Sequence, residues 1–318
     1  MGNSEVGHNA LGAGRVFAQG AKLVNAALAI GRALPGRGLA LEACARVSES
    51  GEPLHFLGLL SDGNVHSHIV APARAARAGR TARASRRCAS TRCSTAATWA
   101  ETALLYVDRL ETVARSRIAP RASATTAIAS GGGRMKITMD RYDADWPWSS
   151  AAGSCTCAAR AAVRECGRGR LRCYGTRQPG ISDQNLPALR DRRTRGAPVG
   201  PIRDGASVIL FNFRGDRAIE ITRAFEDAQL RRSSTAGLRP GCFYAGMMQY
   251  DGDLELPPAS WWSPRDRSHP RRAPRANGVT QLACSETQKF GHVTYFWNGN
   301  RSGRSTSGSR STSRSRAT

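Results

Sequence analysis

Apolar positions in this chain cluster into short segments separated by turn residues, and their periodicity predicts several elements. Residues 5–10 hold no helix breaker apart from Gly7, and residues 11–34 place Leu23, Val24, Ala27, Leu28 and Ile30 on one helical face. Leu54-His55-Phe56-Leu57-Gly58-Leu59-Leu60 is an apolar run ending in Ser61-Asp62-Gly63-Asn64, which predicts a strand entering a turn. Residues 103–112 are amphipathic and read as a helix. The β-branched and aromatic run at 207–213 reads as a buried strand, residues 218–225 as the helix after it, and residues 243–251 as another strand leading into a turn. The last patterned stretch is 280–299.

Composition then divides the chain. Its 318 residues can hold one large or two ordinary domains. No apolar run reaches the roughly 18 residues of a membrane span. The N-terminus carries no secretory signal, and Val6 stands where a myristoylation motif needs Ser or Thr, so the expected location is the cytoplasm. The net charge of +23 ordinarily points to nucleic acid. However, eight windows (35–50, 71–102, 113–126, 147–179, 187–196, 228–242, 258–276 and 303–318) hold 34 of the 44 arginines and six of the 24 acids. The rest of the chain is mildly acidic, with 13 basic and 18 acidic residues. The windows consist of Arg, Ala, Ser, Pro, Gly, Thr and Cys without clear helical or strand period. That signature is expected of a GC-rich gene read out of frame, and several windows are expected to be disordered. They lack the interleaved aromatics that stacking on single strands needs, which weakens the alternative of an Arg/Ser-rich nucleic-acid-binding protein. Their cysteines lack the paired spacing of a zinc module.

Candidate chemistry lies in the patterned stretches. Gly2 and Asn3 permit a tight turn before Ser4, whose hydroxyl is either a helix N-cap or a group presented to a phosphate at the positive end of a helix. His66 and His68 follow the first strand; the pair can meet one metal ion, but on its own it reads rather as solvated or structural. Gly131-Gly132-Gly133-Arg134 is a glycine triplet leading into an arginine, with Arg141 seven residues on. Arg214 and Arg217 sit on a strand-to-helix turn, either as an anion clamp or as surface partners of Asp216 and Glu220.

Taken together, five pieces resemble the cofactor-independent (2,3-bisphosphoglycerate-independent) phosphoglycerate mutases. They are Gly2-Asn3-Ser4-Glu5-Val6-Gly7-His8, Leu60-Ser61-Asp62-Gly63-Asn64-Val65-His66-Ser67-His68, and Gly132-Gly133-Arg134 with Met139-Asp140-Arg141. Phe211-Asn212-Phe213-Arg214-Gly215-Asp216-Arg217 and Ser285-Glu286-Thr287-Gln288-Lys289-Phe290 complete the set in the family's order. The resemblance implies an α/β enzyme, with a transferase domain inserted into an alkaline-phosphatase-like domain of which only fragments remain here. It implies interconversion of 3- and 2-phosphoglycerate in glycolysis and gluconeogenesis, through a phosphoserine intermediate with two manganese ions. On that resemblance Ser4 is the nucleophile and a metal ligand. His66, Arg134, Arg141, Arg214 and Arg217 bind substrate, and Lys289 serves the phosphatase side of the cleft. The partner is a small phosphoglycerate, and the chain is expected to be a monomer.

Departures from the family pattern shape the remaining expectations. The strand and Asp ligand that precede the serine segment in the family, and the Asp and His ligands that follow the Ser-Glu-Thr-x-Lys-Phe motif, have no counterpart in this sequence. A Gly-Arg-Asp motif expected between 71 and 102 is also missing. Residues 1–18 are therefore read as a phosphatase-domain remnant, 19–257 as the transferase domain with out-of-frame-like interruptions, 258–302 as the returning phosphatase domain, and 303–318 as a low-complexity tail. The chain is expected to keep the nucleophile and much of the substrate grip, to lack a complete metal site, and to show no mutase activity.

Overall fold

A computed structural model of the chain describes residues 3–29, 37–69, 88–89, 93–95, 103–116, 128–137, 164–166, 182–186, 189–191, 200–227, 241–261, 282–286 and 289–301. It is an α/β structure built on a largely parallel sheet. The strands are β1 (Leu54–Leu60), β2 (Cys88–Ala89), β3 (Cys93–Thr95), β4 (Ser130–Gly133), β5 (Arg164–Cys166), β6 (Leu189–Asp191), β7 (Ser207–Leu210) and β8 (Phe243–Gly246). Their order is β5-β6-β4-β3-β1-β7-β8, with β2 also pairing β1. Among the described strands only the pair β4 and β6 is antiparallel. The β1–β7 ladder runs from Leu54 opposite Ser207 to Leu57 opposite Leu210, and β7–β8 from Ser207 opposite Phe243 to Leu210 opposite Gly246.

All seven residues of β1 are buried, as expected of a strand covered on both faces of a parallel sheet. The main core gathers Phe56, Leu57, Val208, Ile209, Leu210, Tyr244 and Met247 from the strands and the loop after β8. The helices are α1 (Ser4–Ala13), α2 (Gly20–Ala29), α3 (Arg37–Ser50), α4 (Ala103–Ser116), α5 (Arg134–Ile137) and α6 (Ile219–Glu226). Val24 of α2 is fully buried and Leu23 packs beside it, as their spacing predicts. Tyr106, Val107 and Leu110 of α4 form a second cluster with Leu60.

The structure corrects several sequence expectations. The helical stretch read from 11 to 34 is interrupted, because Gly14 takes the left-handed conformation (φ 65°) and its N–H closes α1 on Ala10 and Leu11; α2 starts only at Gly20. The glycine triplet forms most of the largely buried strand β4 rather than a turn. A Cβ on Gly133 would stand 2.2 Å from the Gln184 carbonyl oxygen, so the missing side chain lets the 3₁₀ turn Asp183–Asn185 lie against the strand. The arginine-rich window 35–50 is no structureless segment. It contains α3, which packs on β1, β7 and β8 and buries Ala43, Cys44 and Val47. Parts of four other windows supply β2, β3, β5, β6 and the end of α4. Residues 228–240 of the window 228–242, residues 262–276 of the window 258–276, and all of 303–318 lie outside the described residues.

Candidate active site

The carboxyl ends of the parallel strands meet α1 at one place, the usual location of a ligand site in such sheets. Each turn there is fixed by its own hydrogen bonds. After β1, Gly63 N donates to Ser61 Oγ (3.0 Å), Ile69 N donates to Ser61 O (2.8 Å), and Ser67 Oγ donates to Leu59 O. Tyr106 of α4 donates to Asp62 Oδ1 (2.5 Å). This closed turn carries His66, which is 4% exposed and whose carbonyl accepts from Phe213 N (2.7 Å). The two turns after β1 and β7 are thereby locked together.

The β7 turn carries Arg214, itself buried. Its Nε and Nη2 form a two-pronged pair with Asp216 (2.8 and 3.1 Å). Its guanidinium carbon lies 5.2 Å from the centre of the Phe296 ring, and Nη2 donates to Ser4 Oγ at 3.1 Å. The sequence left Arg214 either clamping an anion or pairing with Asp216 at the surface. The pairing exists, but both side chains are buried, and the same guanidinium reaches the serine.

Ser4 is not the N-cap. Asn3 takes that role, its Oδ1 accepting from Val6 N at 2.9 Å, so Ser4 occupies the first helical position with its hydroxyl turned to Arg214. His8, one turn on, places Nδ1 2.7 Å from the Ser4 carbonyl oxygen, and its ring meets that of His292 edge-on at 5.3 Å. The buried residues of α1 are polar, Glu5 and Asn9, and both bond the side chain of Asn300.

Arg134 follows β4 directly, and its Nε and Nη2 grip Gln184 Oε1 (3.1 and 2.8 Å). Arg217 Nη1 lies 3.9 Å from Met135 Sδ. Burial holds the His66 imidazole down to about 3; Asp216 opposes this, while Arg214, Arg217 and Arg134 reinforce it. His66 is thus a neutral ring amid three arginines and one carboxylate. Burial raises the Glu5 carboxyl to about 7, against the pull of Asn300, Arg214 and the Gly215 backbone.

The structure therefore brings Ser4, His66, Arg134, Arg214 and Arg217 to one cleft. Lys289 is exposed and, among the described residues, makes no contact with Ser4 or the arginines. Arg141 lies outside the described residues. Sequence reasoning missed Glu5, Asn9, Gln184, His292 and Asn300. Glu5 and Asn9 carry one signal, a polar pair at i, i+4 on the buried face of a helix, but only the structure identifies that face as buried. Two manganese ions need several oxygen or nitrogen donors around one point. Among the described residues no group of three or more His, Cys, Asp or Glu forms such a cluster, so the described donors do not fit the pair of ions.

Residues 32–252 match the model of the family described as the BPG-independent PGAM N-terminus. A probable 2,3-bisphosphoglycerate-independent phosphoglycerate mutase of Leptospira interrogans is 42% identical over 306 residues, covering 95% of this chain and 55% of its own length. The 2,3-bisphosphoglycerate-independent phosphoglycerate mutase of Trypanosoma brucei brucei is 41% identical, with 96% and 55% covered. The fold matches a crystal structure of Leishmania mexicana phosphoglycerate mutase, determined at low cobalt concentration, with a TM-score of 0.85 and 40% identity over 96% of this chain and 55% of that one. The chain spans about half the length of the relatives it matches, and by this likeness it belongs to the 2,3-bisphosphoglycerate-independent phosphoglycerate mutases.

Proposed function

We propose that this chain provides the substrate grip of a phosphoglycerate mutase, binding 2- and 3-phosphoglycerate with Ser4 as the phosphoryl acceptor. The observation that carries the reading is the 3.1 Å contact between Arg214 Nη2 and Ser4 Oγ, which joins positions 210 residues apart. A guanidinium beside the hydroxyl supplies charge where phosphoryl oxygens would approach. Arg134 and Arg217 add forked donors suited to a carboxylate or phosphate. His66, held neutral, can donate or accept a hydrogen bond without adding charge. In the chemistry proposed for the family, which this chain alone is expected not to complete, a P–O bond to the serine Oγ at position 4 forms as the bond to a glycerate hydroxyl breaks. The serine proton passes to the leaving oxygen or to solvent, and return of the phosphoryl to the other hydroxyl completes the isomerisation.

The packing of α1 against 292–296 supports the proposed division, with 1–18 and 258–302 on one side of the cleft and 19–257 on the other. Among the described residues no helix is long and apolar enough to cross a membrane, which fits the proposed cytoplasmic location. A monomer is proposed.

Calorimetric titration with 3-phosphoglycerate tests the grip. Wild type should bind, and Arg214→Ala should lose about tenfold or more in affinity, since hydrogen bonds to charged groups contribute about 1.5–3 kcal/mol. Equal affinities would overturn the reading. Isomerisation is expected to stay at background even with added manganese, because the described donors do not fit the ions. Turnover above background would correct that expectation.

A further inference from the structure

Ser4 and Arg214 come from opposite ends of the sequence, yet face each other at hydrogen-bond distance. Something must hold α1 in rotation and height against the β7 turn. Outside its polar face, α1 leaves Leu11 65% exposed and Gly7 exposed, and touches the 292–297 segment through the His8–His292 rings and the close approach of Gly12 to Trp297. The side-chain hydrogen bonds that hold it there run through the buried polar face.

We propose that Glu5 is the positioning residue that sets the Ser4 hydroxyl against Arg214. Glu5 is 7% exposed and accepts a hydrogen bond from Asn300 Nδ2 at 2.5 Å. That same Nδ2 lies against Gly215, 3.2 Å from where a Cβ there would stand. Neighbouring residues of α1 thus engage the β7 turn at neighbouring positions: Ser4 bonds the Arg214 side chain, and Glu5 bonds the asparagine that packs on Gly215. Two adjacent links of this kind fix both the distance and the rotation between the helix and the turn. Asn300 braces the arrangement from behind. Its Oδ1 accepts from Asn9 Nδ2 (3.1 Å), its N–H donates to Tyr295 O (3.0 Å), and its carbonyl accepts from Gly252 N (3.0 Å). It also sits at φ 58°, a left-handed position that Asn tolerates better than most residues. The same asparagine therefore ties Glu5 to the 292–296 turn that carries Phe296 under Arg214. Glu5 itself need not touch substrate, and its role is exerted through Ser4 and Arg214.

The test reads the electrostatic neighbourhood of position 4 directly. In full-length Ser4→Cys protein the alkylation rate of the new thiol is followed by peptide mass mapping, which separates it from the native cysteines. Anionic iodoacetate and neutral iodoacetamide are compared. A guanidinium at the thiol favours the anionic reagent, so the rate ratio reports whether Arg214 is in place; the same protein in urea gives the floor. Adding Glu5→Ala or Glu5→Asp should lower the ratio by roughly tenfold, the low end of what a focused cationic field gives an anion. Adding Glu5→Gln should preserve it, because the amide oxygen can still accept from Asn300. The proposal is overturned if Glu5→Ala or Glu5→Asp keeps the parent ratio, or if Glu5→Gln falls with them. Should Glu5→Ala fail to fold by circular dichroism, the Asp and Gln variants decide by the same criteria. The inference rests on Ser4 being the phosphoryl acceptor, but the labelling needs no phosphoglycerate, so its failure is distinct from a failure to bind substrate.

Discussion

Arg214 touches three different groups with one planar guanidinium, and its energetics follow from burial. A buried cation is tolerable only while its counter-charge stays in place, and here Asp216 supplies both oxygens of a two-pronged pair. Asp216→Ala should therefore cost about 3–5 kcal/mol, the usual penalty for stranding a buried charge, measured as a lower urea midpoint. Replacing both partners with Met and Leu should recover most of that loss. His66 gives a prediction of the opposite kind, because its neutrality is what folding imposes. An unfolded imidazole takes a proton near 6.5, whereas the folded one resists until about 3. Between those values the unfolded state binds more protons, so stability contributed by neutral His66 is present above pH 6.5 and is lost as pH falls towards 3. The loss is on the order of 4 kcal/mol. Urea midpoints at pH 7 and pH 4 should diverge less in His66→Asn than in wild type. An unchanged difference would show that the ring is not held neutral.

At the scale of elements, legibility depended on whether one residue type dominated its own environment. The strands β1 and β7 and the helix α6 were readable because apolar runs of the right length bury on both faces of a parallel sheet or on one stripe of a helix. The end of α1 was not, since Gly14 is one small residue among several and only its left-handed backbone marks a stop. The strand through the triplet before Arg134 was not legible for a related reason: glycine marks a close approach as readily as a turn, and the approaching 3₁₀ segment lies 50 residues downstream. That contact has a functional corollary. Gln184 on the 3₁₀ turn holds Arg134 through two bonds to one oxygen, and Gly133 is what lets the turn come near. Gly133→Ala should push the turn away, destabilise the fold by about 1–3 kcal/mol and weaken 3-phosphoglycerate binding, because Arg134 loses its brace. Gln184→Ala should weaken binding with a smaller stability loss. Comparing the two by titration and urea melts separates the packing effect from the loss of the brace.

Across the whole molecule, motif order named Ser4, His66, Arg134, Arg141, Arg214, Arg217 and Lys289 but not their arrangement, and the described residues bring together Ser4, His66, Arg134, Arg214 and Arg217. The bonds that assemble them span 210 residues from Ser4 to Arg214 and 295 from Glu5 to Asn300, which periodicity cannot register. Composition misled where it stood in for structure, most plainly in the window 35–50. There arginine, serine and glycine mask a helix whose inward positions are small or apolar, with Ala43, Cys44 and Val47 at 0–2% exposure. Ser207 at the start of β7 donates to the Ala43 carbonyl (3.1 Å), so α3 is joined to the central sheet by a buried hydrogen bond as well as by packing. The outward face obeys different rules, since the Arg46–Glu42 pair is about half exposed and screened by solvent. Val47→Ala should therefore lower stability by about 1.5–3 kcal/mol through lost burial and a residual cavity. Glu42→Ala, on the same helix, should stay within about 0.5 kcal/mol. Urea melts of the two variants beside wild type make the comparison. A Val47→Ala protein as stable as the Glu42→Ala one would show that α3 is not part of the core that carries the β1 and β7 turns.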